Sequence, residues 1–185
     1  MSNSGFLSSI FLLSFRCALI LLKRARFAAP PRKISQTEPF AYSRPTYQAS
    51  KCIFNRVPCD NEFEIEFSKF LQLAGEVTRF TKLPSSFGFS IEYTDSVANL
   101  RYYEPDFVAV LENGEYYLIE TKGREDPDVP HKDRAAKLWC EYATSLTQIS
   151  WQYLKIPQQD FKRLEPNEFS DLAVFKYQQE RLGPE

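Results

Sequence analysis

The chain has 185 residues, of which 43% are hydrophobic and 15% aromatic; that composition excludes a disordered protein and leaves room for one globular domain with a ring-rich core. The net charge of −1 hides a division, because residues 1–48 hold seven of the 23 basic residues and one of the 24 acidic ones, which puts residues 49–185 at −7. That larger part lacks the basic excess behind strong non-specific nucleic-acid binding, so a nucleic acid would have to be delivered to it by something else. Cys17, Cys52, Cys59 and Cys140 are scattered, away from the single His131. Neither a zinc site nor a disulfide framework follows, and reduced thiols in a cytoplasmic protein are expected.

Phe6 to Leu22 is strongly apolar but contains Arg16 and several serines, and Lys23, Arg24 and Arg26 follow it. A signal peptide carries its charge ahead of the apolar run, and a membrane anchor does not tolerate an arginine near its middle. A remnant of a larger gene fits this segment better. Pro30, Pro31, Pro39 and Pro45 make roughly 28–48 a linker, so residues 1–48 form an extension and 49–185 the domain.

Asn61 to Ala74 repeats apolar residues at helical spacing, with Phe63, Phe67, Phe70, Leu71 and Ala74 on one face and Asp60 or Asn61 as the cap. Val77 to Thr81 and Phe87 to Tyr93 follow as strand pieces, and Leu100 to Leu111 as one further strand. Glu112-Asn113-Gly114-Glu115 marks a hairpin, from which Tyr116 to Lys122 returns. Gly123 to Pro130 is a charged loop that also takes in His131. The next helix runs to Leu146, with Ala135, Leu138, Trp139, Tyr142, Ala143 and Leu146 inward, and Ile149 to Ile156 is a strand. A helix or two completes the tail from Gln158. This order describes an α/β domain with a mixed central sheet flanked by helices. No GxxxxGK[ST] is present, so no phosphate-cradling ATPase loop is expected.

The chemistry-bearing residues cluster in Tyr103-Glu104-Pro105-Asp106-Phe107 and Ile119-Glu120-Thr121-Lys122-Gly123. Phosphodiester hydrolysis at neutral pH is served by a divalent ion, and Mg2+ needs only one or two carboxylates because it keeps several waters. Asp106 and Glu120 can supply them. Period-two alternation puts Lys122 on the face of Glu120, where an ammonium can hold the attacking water. The bland alternative for this pair is an exposed ion pair on a strand, and for Asp106 a turn residue after proline.

Pro105-Asp106 followed by Glu120-Thr121-Lys122 resembles the PD-(D/E)XK signature of restriction-type endonucleases. The surrounding residues are similar to the C-terminal endonuclease domain of type III restriction enzyme subunits, over roughly Lys51 to Leu172. The resemblance implies a restriction-endonuclease-like fold and Mg2+-dependent cleavage of DNA. As partners it implies DNA, a helicase or translocase, and a methyltransferase subunit. Nothing in this chain corresponds to the helicase engine that precedes the nuclease in that family. A catalytically inactive DNA-binding or scaffolding module of the same fold is the alternative.

Helical projection places Glu64 at the border of the buried face, with Glu62 and Glu66 pointing away, and Glu64-Ile65-Glu66-Phe67 resembles the helix acid of the family. Glu64 therefore joins Asp106, Glu120 and Lys122 as a catalytic candidate. Lys132 falls on the inward stripe of the later helix, beside its N-terminus, and is a candidate clamp for the DNA phosphate. Arg134 and Lys137 point outward.

A two-residue Asn113-Gly114 turn would set Asp106 against Thr121, on the face opposite to Glu120 and Lys122. A shared metal therefore requires an irregularity between Pro105 and Glu115. Either a connection of Asn113 to Glu115 or one bulged residue between Phe107 and Leu111 would make paired numbers sum to 228, with Asp106 against Lys122, and a sharp bend at Pro105 is a further way to swing the carboxylate round.

Overall fold

Alternation along two neighbouring strands decides the architecture, because each of them buries both faces. In the computed structural model, which describes residue 37 and residues 39–123 and 127–176, β6 (Phe107–Leu111) and β7 (Tyr116–Lys122) form the middle of a four-stranded sheet. Its order is β3-β6-β7-β8, where β3 is Val77–Lys82 and β8 is Trp151–Pro157. The β3–β6 and β6–β7 pairs are antiparallel, and β7–β8 is parallel. A parallel neighbour needs a crossover, which α2 (Val129–Thr147) supplies. The sheet is thus mixed, with helices against it, as expected.

Helix α1 (Glu62–Leu73) starts at Asn61, whose side chain accepts the Glu64 N–H as an N-cap. It lays Phe63, Phe67 and Leu71 on the face of the sheet that carries Phe80, Phe107, Ile119, Leu154 and Ile156. Phe161 of α3 (Gln158–Leu164) closes this core, stacking edge-on to Phe67 at 5.5 Å between centroids. Phe67 is fully buried, so Phe67→Ala would cost about 3–5 kcal/mol. The other face carries Val108, Val110, Tyr116, Leu118, Trp151 and Tyr153 against Ala136, Trp139, Cys140 and Ala143 of α2.

Several expected boundaries shift. Leu100 to Leu111 is two strands: β5 (Leu100–Tyr103) pairs with β4 (Ile91–Thr94) in a separate hairpin, and the chain breaks at Glu104–Asp106 before entering the central sheet as β6. Pro105 lacks the N–H a continuous ladder would use. Phe87 ends a short 3-10 turn, Ser85–Phe87, instead of opening a strand. Val129 starts α2, so His131 lies in the helix and not in the loop. Leu138 is 40% exposed, because the buried stripe runs through Ala136, Trp139, Cys140 and Ala143.

Part of the stretch read as a linker belongs to the folded unit. β1 (Thr46–Tyr47) pairs with β2 (Val57–Pro58), while Tyr42 and Arg44 both bond Asp60. The apolar segment 6–22 lies outside the described residues. Among the described ones, no helix is long and apolar enough to cross a membrane.

Candidate nuclease centre

The connection between β6 and β7 fixes where the carboxylates stand. Leu111 donates its N–H to Glu115 O at 2.9 Å, and Gly114 donates to Leu111 O at 3.0 Å with φ of +84°. This is a three-residue loop, Glu112–Gly114, of the kind that ends on a left-handed residue, where glycine costs least. Asn113 Oδ1 accepts from Glu115 N and stiffens it. Phe107 pairs with Ile119 and Val108 with Leu118, a sum of 226 where 228 was expected. Both sums are even, so the faces agree while the register differs by two residues. One step beyond the last pair, Asp106 stands opposite Glu120 and not Lys122.

Asp106 sits at the bend that ends the Pro105 break. Its Oδ2 accepts from Thr121 N at 2.8 Å and Thr121 Oγ1 at 2.6 Å, which ties it to β7 beside Glu120. Burial raises its pKa, against the pull of the Thr121 bonds and of the Lys82 charge.

Glu120 is the exceptional carboxylate. Its Oε2 is buried and has no hydrogen-bond partner among the described residues. Burial, with repulsion from Asp106, pushes its pKa up to about 8, although Lys122 and Lys132 pull the other way. An orphaned carboxylate oxygen facing a second carboxylate fits a divalent cation, since such an ion relieves both the missing bond and the repulsion. Among the described residues no three His, Cys, Asp or Glu side chains converge into a metal cluster. Two carboxylates remain sufficient for Mg2+.

Lys122 shares the strand face of Glu120, and Lys132 reaches the same neighbourhood from α2, with its ammonium 5.9 Å from the centre of the Tyr93 ring. Four positions read as site residues, Asp106, Glu120, Lys122 and Lys132, are therefore brought to one end of the sheet. Glu64 lies on the α1 side, within reach of the Asp106 charge but filled by other partners. It is 4% exposed, and its Oε2 accepts from Asp60 N at 2.6 Å and lies 3.1 Å from Lys82 Nζ. Its Oε1 accepts from Asn61 Nδ2 at 3.0 Å. Glu62 is exposed and Glu66 pairs loosely with Lys162 at 3.6 Å, both away from the centre as expected.

Three features escaped the sequence reading. Lys82, at the end of β3, is buried between Glu64 and Asp60, with Asp60 Oδ2 at 2.5 Å. Its parity with Phe80, a core residue two positions earlier, was the available signal. Lys155 pairs with Glu120 across the parallel strands and bonds Asp133 at 2.8 Å, while Tyr153 Oη donates to the other Asp133 oxygen at 2.8 Å. Tyr103 is 7% exposed and its hydroxyl has no partner among the described residues. A cleft of about 320 Å³ opens between Asp60, Lys82, Ser85, Ser86, Glu104 and Asp106.

No curated protein and no solved structure matches the chain. A family model described as an endonuclease domain matches residues 50–160, more than half of the sequence and every residue of the centre just described. The chain belongs to that endonuclease-domain family.

Proposed function

We propose that the chain is a Mg2+-dependent DNA endonuclease domain of the PD-(D/E)XK type, with a restriction-endonuclease-like fold, and that it works in a type III restriction-type system. The observation that carries this reading is the Glu120 carboxylate, which feels the repulsion of Asp106 and keeps one buried oxygen unpartnered among the described residues. Thr121 orients Asp106 by two hydrogen bonds, and Glu120 is held on the rigid middle strand beside it. A Mg2+ ion held there supplies neutralisation of phosphate charge and polarisation of a water. Lys122, on the Glu120 face, would hold the attacking water by its ammonium and steady the hydroxide that forms as that water gives up its proton to solvent. Lys132, in the first turn of α2, places the DNA backbone through a phosphate oxygen by its ammonium.

The acidic balance of residues 49–185 supports dependence on partners. A helicase or translocase and a methyltransferase subunit, as the type III arrangement implies, would bring DNA to a domain that attracts it poorly by charge. Nicking of supercoiled plasmid in Mg2+, abolished by EDTA, is the expected result. Equal conversion in Mg2+ and in EDTA, or none in Mg2+ with the partner subunits present, would overturn the assignment and favour a non-catalytic module.

A further inference from the structure

The buried lysine at the end of β3 bears on how many ions the centre takes. Lys82 shows 6% of its side chain to solvent and lies between two carboxylates, Asp60 Oδ2 at 2.5 Å and Glu64 Oε2 at 3.1 Å. Burial alone would push an ammonium toward its neutral form, but these bonds more than reverse that and hold it charged. Arg44 bonds the remaining Asp60 oxygen at 2.8 Å. Lys82 and Arg44 thus meet Asp60 and Glu64 directly, and the charge of Lys82 also reaches Asp106.

Glu64 is closed in hydrogen bonding as well. Three donors fill it: Asp60 N and Lys82 Nζ on Oε2, and Asn61 Nδ2 on Oε1. A metal ligand in this position would have to shed the lysine and the cap of α1 together. Glu120 presents the opposite condition, an oxygen with no donor at all among the described residues. Between the two stands Asp106, on which the Lys82 charge acts directly. Lys82 and Asp106 also line the same cleft.

On the nuclease reading given above, on which this inference rests, we propose that Glu64 is a positioning residue that fixes Lys82 as a permanent cation beside Asp106. The centre therefore takes one divalent ion, between Asp106 and Glu120, and a second is kept out by the ammonium. A fixed positive charge close to Asp106 repels any further cation and competes for the carboxylate a second ion would need.

Mn2+ titration of the full chain, followed by calorimetry and by the Mn2+ electron-spin signal, tests this directly. The wild type should bind one ion. Glu120→Gln should weaken binding at least tenfold, while Glu64→Gln stays within about threefold. Lys82→Met should bind Mn2+ several-fold more tightly, a gain that a merely structural lysine would not produce. Two ions in the wild type, a Glu64→Gln loss equal to that of Glu120→Gln, or no tightening in a folded Lys82→Met would overturn the proposal while leaving the metal centre in place. If Lys82→Met does not fold, the stoichiometry and the two glutamine variants decide. Failure of the wild type to bind Mn2+, or binding indifferent to Glu120→Gln, would overturn the nuclease reading along with it.

Discussion

The two faces of the sheet treat their carboxylates in opposite ways. On the α1 face, Glu64 and Asp60 are saturated by Lys82, Arg44, Tyr42 and the helix cap. On the α2 face, among the described residues, Glu120 keeps a bare oxygen and Tyr103 a bare hydroxyl. Burying a polar atom without a partner costs on the order of 1–3 kcal/mol, so a folded domain carries such atoms where something else completes them. The contrast separates an acid whose oxygens are filled from an acid with one left open, although both were read from the sequence as catalytic.

The largest expected effect lies on the unsatisfied side. Glu120→Ala or Lys122→Ala should lower Mg2+-dependent nicking by about 100-fold or more while the melting temperature changes little. Wild-type nicking by either variant would dissolve the contrast.

On the saturated side the order reverses. Lys82→Ala strands Glu64 as an uncompensated buried charge and should cost about 3 kcal/mol of stability, read by denaturant unfolding. A loss below about 1 kcal/mol would mean that the cluster is looser than its distances indicate.

A third test uses pH. Glu120 has a folded pKa of about 8 against an ordinary 4.5, so between those values the native state keeps a proton that the unfolded chain has released. Its contribution is fully present below about pH 4.5 and is lost as pH rises through 8. Metal-free protein should therefore lose stability across that window through this group, at a slope of up to about 1.4 kcal/mol per pH unit. Glu120→Gln should flatten the dependence, and Mg2+ should restore stability at pH 8. An unchanged slope in the variant would remove Glu120 as its source.

The smallest effect belongs to Lys132. Lys132→Ala should raise the apparent Kd for DNA about threefold to tenfold and leave the rate at saturation nearly unaltered, because a backbone contact positions more than it reacts. Equal affinity for wild type and variant would make its place over Tyr93 simple packing.

Local chemistry was legible in the sequence, and long-range pairing was not. Of Asp60 and Asn61, both legible as caps, Asn61 starts α1, and alternation alone puts Glu120 and Lys122 on one face. The face of Asp106 followed from parity, while its partner did not, since a three-residue loop can be cut from the same residues in two ways. Lys132 lies four residues before Ala136 on the buried stripe, as helical projection required. A bend at Pro105 was legible, but not that the strands on its two sides join different sheets, because both have strand character and the sheet each joins is set by neighbours far along the chain. Lys82 was missed for the same reason: its partners come from residues 18 and 22 positions earlier.

The hairpin that faces Asp106 toward Glu120 also bears on the order in which the centre is built. Its loop spans only Glu112 to Gly114, and closing so short a loop costs little entropy. Isolated hairpins form on a scale of about 1–10 μs. The β7–β8 pair, in contrast, waits for α2 to cross over, and Lys82 waits for β3 to find β6. Both carboxylates and Lys122 thus belong to one unit that can set its register before the domain closes around it. Slow folding steps elsewhere would delay substrate binding and the neutralisation of Glu64, while leaving the Asp106–Glu120 alignment already determined.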